Sequence, residues 1–404
     1  MILYKLRRKL INKVKQYLYR INFVKGFHKY DLLLYDTIFP HPLSGFRYEE
    51  FKELLREFEN SKIIVEPLSY PVVKTSVHMH KIHIEELKSK YPFLKNKFQN
   101  NLLININTKL FYCVFLGIIY KNLSWLEQHS IPFIFTLYPG GGFNVNDARS
   151  DEQLRRVLKS PQFKKVIVTQ LYTKNYLIDK NFCSVDQIEY VFGGVVPQNT
   201  FKIIKEEKVF YPIKKTFDIV FCAAKYMPKG IDKGYDVFIE VAHRLEKKYD
   251  FVRFHVVGGF DKDEIDVSML SAKIIYYGYQ NFDNLASIFE NMDVIVSPNK
   301  PFYLNKGAFD GFPLGTVVEA VLNNVVAIVT DNLHQNTVFL EHKELIIAKA
   351  DVSAFENEIE ELIQNPEKLI TISKAGKDKF FKIYSNEYQM QPRIKILRDE
   401  IKKN

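Results

Sequence analysis

Two α/β domains, each built on a doubly wound parallel sheet, are predicted by three features of this 404-residue chain. The length suffices for two separate cores. Short apolar runs alternate with helical periodicity from residue 31 to about 170, and again from 217 to 365. Between the two series the pattern breaks over residues 193–216, where GGVVP leads into a Lys-rich polar segment and Tyr211-Pro212; this reads as a linker.

In the first series, 31–36 (DLLLYD), 62–68, 109–116, 131–138 and 165–170 are continuous apolar runs of strand length. The helical stretches are 47–60, 120–128 and 150–163, and 69–108 has no clear period. In the second series the strands are 217–224, 251–257, 273–279, 294–297, 325–330 and 344–348. Helices cover 234–248, 284–292, 313–323 and 353–365. The expected division is a basic amphipathic segment (1–30), an N-terminal domain (31–205), a C-terminal domain (206–375) and a helical tail (376–404) that packs back on the N-terminal domain. Two such domains place a ligand in the cleft between them, beyond the carboxyl ends of the strands.

The net charge of +10 is concentrated at one end. Nine cations precede the first acid, Asp31, so the rest of the chain is nearly neutral and a nucleic-acid reader is disfavoured. Leu3, Leu6, Leu10, Val14, Tyr17, Leu18 and Ile21 share one helical stripe in this basic stretch. Two readings stand: a helix lying on an anionic membrane, or one docked on its own domain. No apolar run reaches the length of a membrane span. The segment lacks the apolar core and cleavage site of a secretory signal. Cys113, Cys183 and Cys222 are far apart and read as core thiols of a reducing, cytoplasmic protein, with the inner face of the membrane as its peripheral site.

The densest chemistry lies in Asp310-Gly311-Phe312-Pro313-Leu314-Gly315-Thr316-Val317-Val318-Glu319-Ala320. A turn entering a helix leaves backbone N–H groups free for phosphate or hydroxyl oxygens. A carboxylate one to two turns further on can accept hydrogen bonds from the vicinal hydroxyls of a ribose. By itself the segment is equally an ordinary helix start with a solvated acid.

This stretch resembles the acid-Gly-Phe…Glu-Ala motif of the retaining, glycogen-synthase-like glycosyltransferases (glycosyltransferase family four, within glycosyl transferases group 1). The resemblance implies a GT-B fold, two Rossmann-like domains facing each other across a cleft, with the nucleotide-sugar donor on the C-terminal domain. It implies that Asp310 faces the donor sugar and Glu319 the ribose, although the first acid is Asp and eight residues separate the two acids where seven are usual. Phe312, Leu314, Gly315 and Thr316 fall in the donor-binding turn. In FDIVFCAAKYMPKGIDKGYDVF, Lys233-Gly234 matches the pair that holds the donor diphosphate. Lys225 is the candidate for the preceding basic residue, with Lys229 as its rival. Tyr277, Gly278 and Tyr279 fall beside the nucleobase, and Gly45 near the diphosphate. The match covers residues 185–375 closely and the N-terminal half loosely.

The acceptor is expected on the N-terminal half, at His41 in FPHPLSGF and at Gly140, Gly141 and Gly142, both loops following strands. His78, His80 and His83 have no metal-ligand spacing. The lysines supply positive charge, and neither metal nor cofactor is expected. The expected activity is transfer of a sugar, with retention, to a cell-surface glycan or lipid-linked saccharide. A nucleotide-sugar epimerase and a non-catalytic, membrane-associated glycan-binding protein are the alternatives.

Overall fold

The computed structural model describes residues 29–42, 44–66, 75–99, 107–197, 208–270 and 272–404. Most of the basic amphipathic segment, residues 1–28, lies outside the described residues. The N-terminal sheet contains β1 (Lys29–Asp36), β2 (Ser61–Val65), β3 (Phe98–Gln99), β4 (Asn107–Val114), β5 (Phe133–Leu137), β6 (Phe163–Val168) and β7 (Ile188–Tyr190), in the order 3-2-1-4-5-6-7. Every pairing is parallel. Its helices are α1 (Gly45–Glu57), α2 (Val77–Lys90), α3 (Leu116–Gln128), α4 (Ala148–Leu158) and α5 (Leu171–Asp179).

The second sheet contains β8 (Phe217–Cys222), β9 (Val252–Val257), β10 (Ile274–Gly278), β11 (Val294–Ser297), β12 (Val326–Val329) and β13 (Ile346–Ile347). Its order is 10-9-8-11-12-13, again parallel throughout. Helices α6 (Tyr235–Lys248), α7 (Phe282–Phe289), α8 (Gly315–Leu322), α9 (Val352–Gln364) and α10 (Pro366–Tyr384) flank it.

Strands buried on both faces need apolar side chains at successive positions. Leu32, Leu33 and Leu34 of β1 are each fully buried. The period of two sends Leu33 to one face, with Phe111 and Trp125, and Leu32 and Leu34 to the other, with Phe51 and Leu110. In β8 all six residues are buried, and Phe217, Ile219 and Phe221 share a core with α6 and α9.

The last helix, α11 (Asn386–Lys403), leaves the C-terminal domain and packs on the N-terminal one. Met390, Ile394 and Leu397 join the face containing Leu32, Leu34 and Phe51. Arg393 is fully buried there, its Nη1 donating to Gln389 O at 2.6 Å and its Nη2 lying 3.5 Å from the Tyr138 hydroxyl. That hydroxyl donates to Glu50 Oε2 at 2.7 Å, so a buried cation and a buried carboxylate are joined through one phenol.

The stretch without a clear period holds α2, which buries only His80 and Leu87 and so carries no apolar stripe. Helix α3 begins at Leu116 rather than 120, because Phe115, at φ 75°, turns the chain straight out of β4. Helix α5 and strand β7 are further elements that apolar periodicity does not mark.

Leu397→Ala should cost about 2–5 kcal/mol of stability, the usual range for a buried leucine cavity. Chemical denaturation checks it. A change below about 0.5 kcal/mol would mean that α11 is not part of the N-terminal core.

Candidate functional site

Strand order reverses beside β1 and β4 in one sheet and beside β8 and β11 in the other, where open parallel sheets form their ligand crevices. A loop of the C-terminal domain, residues 301–314, crosses to the N-terminal domain beside this crevice. Val145 N–H donates to Gly307 O at 3.0 Å. A Cβ at Gly307 would lie 1.8 Å from Val145 O, and φ there is +77°, so only glycine fits. Phe309 packs edge-on against Phe143 and Tyr172, with centroids 5.8 and 5.4 Å away. Gln170, at the end of β6, accepts from Phe312 N–H at 3.2 Å. The acid-Gly-Phe turn is therefore held from both domains.

Helix α8 starts from this turn without a side-chain cap. The Thr316 hydroxyl donates to Cys222 O at 2.8 Å and pins the helix start to the end of β8. Glu319 is then 8% exposed, and burial pushes its carboxyl up to about 8. Across the domain boundary stands Gly45, the first residue of α1, whose start is also uncapped by a side chain. A Cβ at Gly45 would come 3.7 Å from Glu319 Oε1 and 2.7 Å from Pro197 Cγ. The fold thus brings together the proposed ribose carboxyl and the glycine expected near the diphosphate.

Lys233 is buried and its ammonium contacts the Asp310 carboxylate at 2.5 Å and Asp232 at 3.9 Å. Both Asp232 oxygens are buried without a hydrogen-bond partner, and burial raises its pKa against the opposing pull of Lys233. Gly234, at φ +71°, packs where a Cβ would meet Pro298 O at 2.1 Å. The ammonium of Lys225 is bonded to Glu264, from the loop after β9, so the two lysines do not share a partner. Lys229 has φ 56° and heads a kinked turn.

On the expected base side, the Tyr277 hydroxyl lies 3.0 Å from His255 Nδ1, and His255 Nε2 lies 2.8 Å from Asp218 Oδ1. Burial raises the Asp218 pKa, but bonds from His255, Lys214 and Thr216 outweigh it and bring the group down to about 2. Gly278, at φ +66°, accepts from Gly258 N–H at 2.9 Å. Tyr279 is exposed and its ring lies over Gly259, where a Cβ would come within 2.7 Å.

In the N-terminal domain, His41 Nδ1 accepts from Ser44 N–H at 2.8 Å, which leaves the ring proton on Nε2. Burial, aided by Arg47, pushes this imidazole down to about 3, so it is neutral. Arg47 is itself buried against Asp36 at the end of β1. Gly140, Gly141 and Gly142 all have positive φ. A Cβ at Gly141 would lie 2.3 Å from the Phe115 ring, and one at Gly142 would lie 3.3 Å from Gly117 N, so packing already requires these two glycines. His80 is buried, with Nε2 2.9 Å from Phe39 O. Among the described residues no three His, Cys, Asp or Glu side chains are grouped to hold a metal ion.

Sequence reasoning missed Gln170, Arg47 and Asp36. The first and last stand at or just beyond carboxyl ends of strands, which is the signal that could have found them. It also passed over an Asp-x-Asp triplet, Asp261-Lys262-Asp263, where Asp261 Oδ1 accepts from Asp263 N–H at 2.9 Å and closes its own turn.

The Glu319 carboxyl has a folded pKa (about 8) above the ordinary 4.5. The fold therefore holds this proton more tightly than the unfolded chain does. Its contribution to stability is complete below about pH 4.5 and is lost as pH rises through about 8. Denaturation midpoints should fall less between pH 5 and pH 9 in Glu319→Gln than in the parent protein. Parallel curves would show that the carboxyl is not buried as a neutral acid.

Residues 204–379 match the family described as "Glycosyl transferases group 1". No curated protein sequence matches the chain. Among solved structures, a sucrose-phosphate synthase from Thermosynechococcus elongatus is similar over 93% of this chain and 100% of its own, at 13% identity and a TM-score of 0.63. HepE from Anabaena, in complex with UDP, is similar over 91% and 99%, at 11% identity and 0.61. TarM from S. aureus matches over 72% of this chain, at 16% identity and 0.55, and the chain spans about half (54%) of the length of TarM. The described residues thus have the GT-B fold, and the part of the chain that matches the glycosyl transferases group 1 model is the C-terminal domain.

Proposed function

We propose that the protein is a glycosyltransferase. It takes a sugar from a nucleotide-sugar donor and passes it, with retention, to a cell-surface glycan or a lipid-linked saccharide. The observation that carries this reading is the approach of Glu319 to Gly45 between the uncapped starts of α8 and α1. A buried neutral carboxyl ionises readily once two ribose hydroxyls donate to it, and free N–H groups at a helix start suit phosphate oxygens. The match of the C-terminal domain to a glycosyl transferase family supports the same site.

Lys233 would stabilise the leaving diphosphate. Its ammonium is held by Asp310. A diphosphate carries more negative charge than one carboxylate and competes for that ammonium, releasing Asp310 toward the donor sugar. As the bond from the sugar C1 to the phosphate oxygen breaks, the acceptor oxygen bonds to C1 on the same face. Its proton passes to the departing phosphate oxygen. Negative charge grows on the diphosphate during this step, so the ammonium contributes most in the transition state. No metal is needed for that role.

A panel of nucleotide sugars tested for slow hydrolysis, and for transfer to glycan acceptors, examines the reading directly. Glu319→Gln should weaken nucleotide affinity by about 1–3 kcal/mol, measured by titration calorimetry. Lys233→Ala should lower turnover more than it weakens nucleoside binding. Activity should persist in excess EDTA. A folded protein that binds no nucleotide sugar would refute the proposal, and conversion of the donor to an isomeric sugar would identify an epimerase.

The acceptor reading extends to the membrane through the eight cations and apolar stripe of residues 1–25. Among the described residues no helix is long and apolar enough to cross a membrane. Each cation near an anionic surface contributes about 1 kcal/mol, screened by salt. The full chain should sediment with anionic vesicles at low salt, and a chain lacking residues 1–25 should stay in the supernatant with its nucleotide affinity intact. A full chain that ignores such vesicles refutes the membrane contact.

A further inference from the structure

A cavity of about 410 Å³ opens at the carboxyl end of the N-terminal sheet, between the first turns of α3 and α4. None of the donor residues discussed above lines it, but Gly142, one of the expected acceptor glycines, does. Gly117 and Tyr120 come from α3, Arg149 and Gln153 from α4, and Asn144 and Asp147 from the loop between β5 and α4. The volume lies within the range of small-ligand sites.

The wall is polar and planar: two carboxamides, a guanidinium, a carboxylate and a phenol. Each carboxamide and the guanidinium can engage two adjacent hydroxyls at once, and a phenol ring can cover the C–H face of a pyranose. Tyr120 is 40% exposed. One cation and one anion balance, which favours an uncharged polyhydroxyl ligand over a phosphate. The wall is also rigid. Asp147 Oδ1 accepts from Ser150 N–H at 2.8 Å, Ser150 Oγ accepts from Asn144 N–H at 3.1 Å, and Gly117 N–H donates to Gly141 O at 2.9 Å.

The cavity also flanks the interdomain cleft. Val145, between two of its lining residues, bonds to Gly307 of the C-terminal loop. On its other side, the Phe115 ring stands edge-on to Phe46, next to Gly45, with centroids 6.1 Å apart. The contact of Phe115 with Phe46 therefore links the chain beside the cavity to the start of α1.

We propose that this cavity is a saccharide subsite that grips an uncharged unit of the acceptor glycan away from its reacting hydroxyl. The assignment to an acceptor rests on the glycosyltransferase reading; the assignment to a saccharide rests on the cavity alone.

The test is binding of the full chain to a printed array of neutral oligosaccharides, with phosphorylated oligosaccharides alongside, and nucleotide affinity measured in parallel. The parent protein should retain a subset of the neutral glycans. Tyr120→Ala and Asn144→Ala should each weaken that retention about tenfold or more, and Tyr120→Phe, which keeps the ring, should restore it. Thermal melting identifies variants that fail to fold. Retention unchanged in folded variants, no glycan held by the parent, or a preference for phosphorylated glycans would each overturn the subsite. Glycan binding lost in the variants of a protein that binds no nucleotide sugar would uphold the subsite and remove the transferase reading.

Discussion

A carboxyl group withheld from water at position 319 constrains everything around it. Burial of an acid without a bonded cation is costly unless the group stays neutral, and Glu319 does so by binding its proton up to about pH 8. Its position follows from α8, which is fixed by the Thr316 hydroxyl on Cys222 O and by the turn that Gln170 holds from the other domain. The facing residue must lack a side chain, because Pro197 fills the space that a Cβ at Gly45 would need. Glu319 thus sits where the starts of two helices, one from each domain, and Pro197 of the chain between the domains meet.

The cations near the cleft are neutralised internally. Lys233 is matched by Asp310 and Lys225 by Glu264. The same contacts must be exchanged when an anionic ligand arrives, and the affinity measured is the difference between the two sets.

Much of the fold was legible because parallel strands buried on both faces write themselves as continuous apolar runs, as in DLLLYD and FDIVFC. Asp310, Thr316 and Glu319 lie within ten residues, so their placement on one turn and helix start was legible locally. Partners distant in sequence were not. Glu264 lies 39 residues from Lys225, and Gln170 lies 142 from Phe312. Helix α2 escaped because a helix burying two residues has no stripe to read. The cavity proposed for a saccharide draws its lining from α3, α4 and the loop before α4, and of these residues sequence reading marked only Gly142. Of the glycines at 140–142, Gly141 and Gly142 pack against Phe115 and Gly117 of the same domain, and Gly142 also lines the cavity between α3 and α4.

Helix α11 gives the molecule a second covalent tether. The chain passes from the N-terminal to the C-terminal domain after β7 and returns between Tyr384 and Asn386. Two bodies joined at two points can swing about the line through those points, but cannot slide apart or twist freely. Any widening of the cleft is therefore a hinge motion with one dominant axis. Such a motion would part Phe309 from Phe143 and Tyr172, the aromatic contact that the 301–314 loop makes with the N-terminal domain.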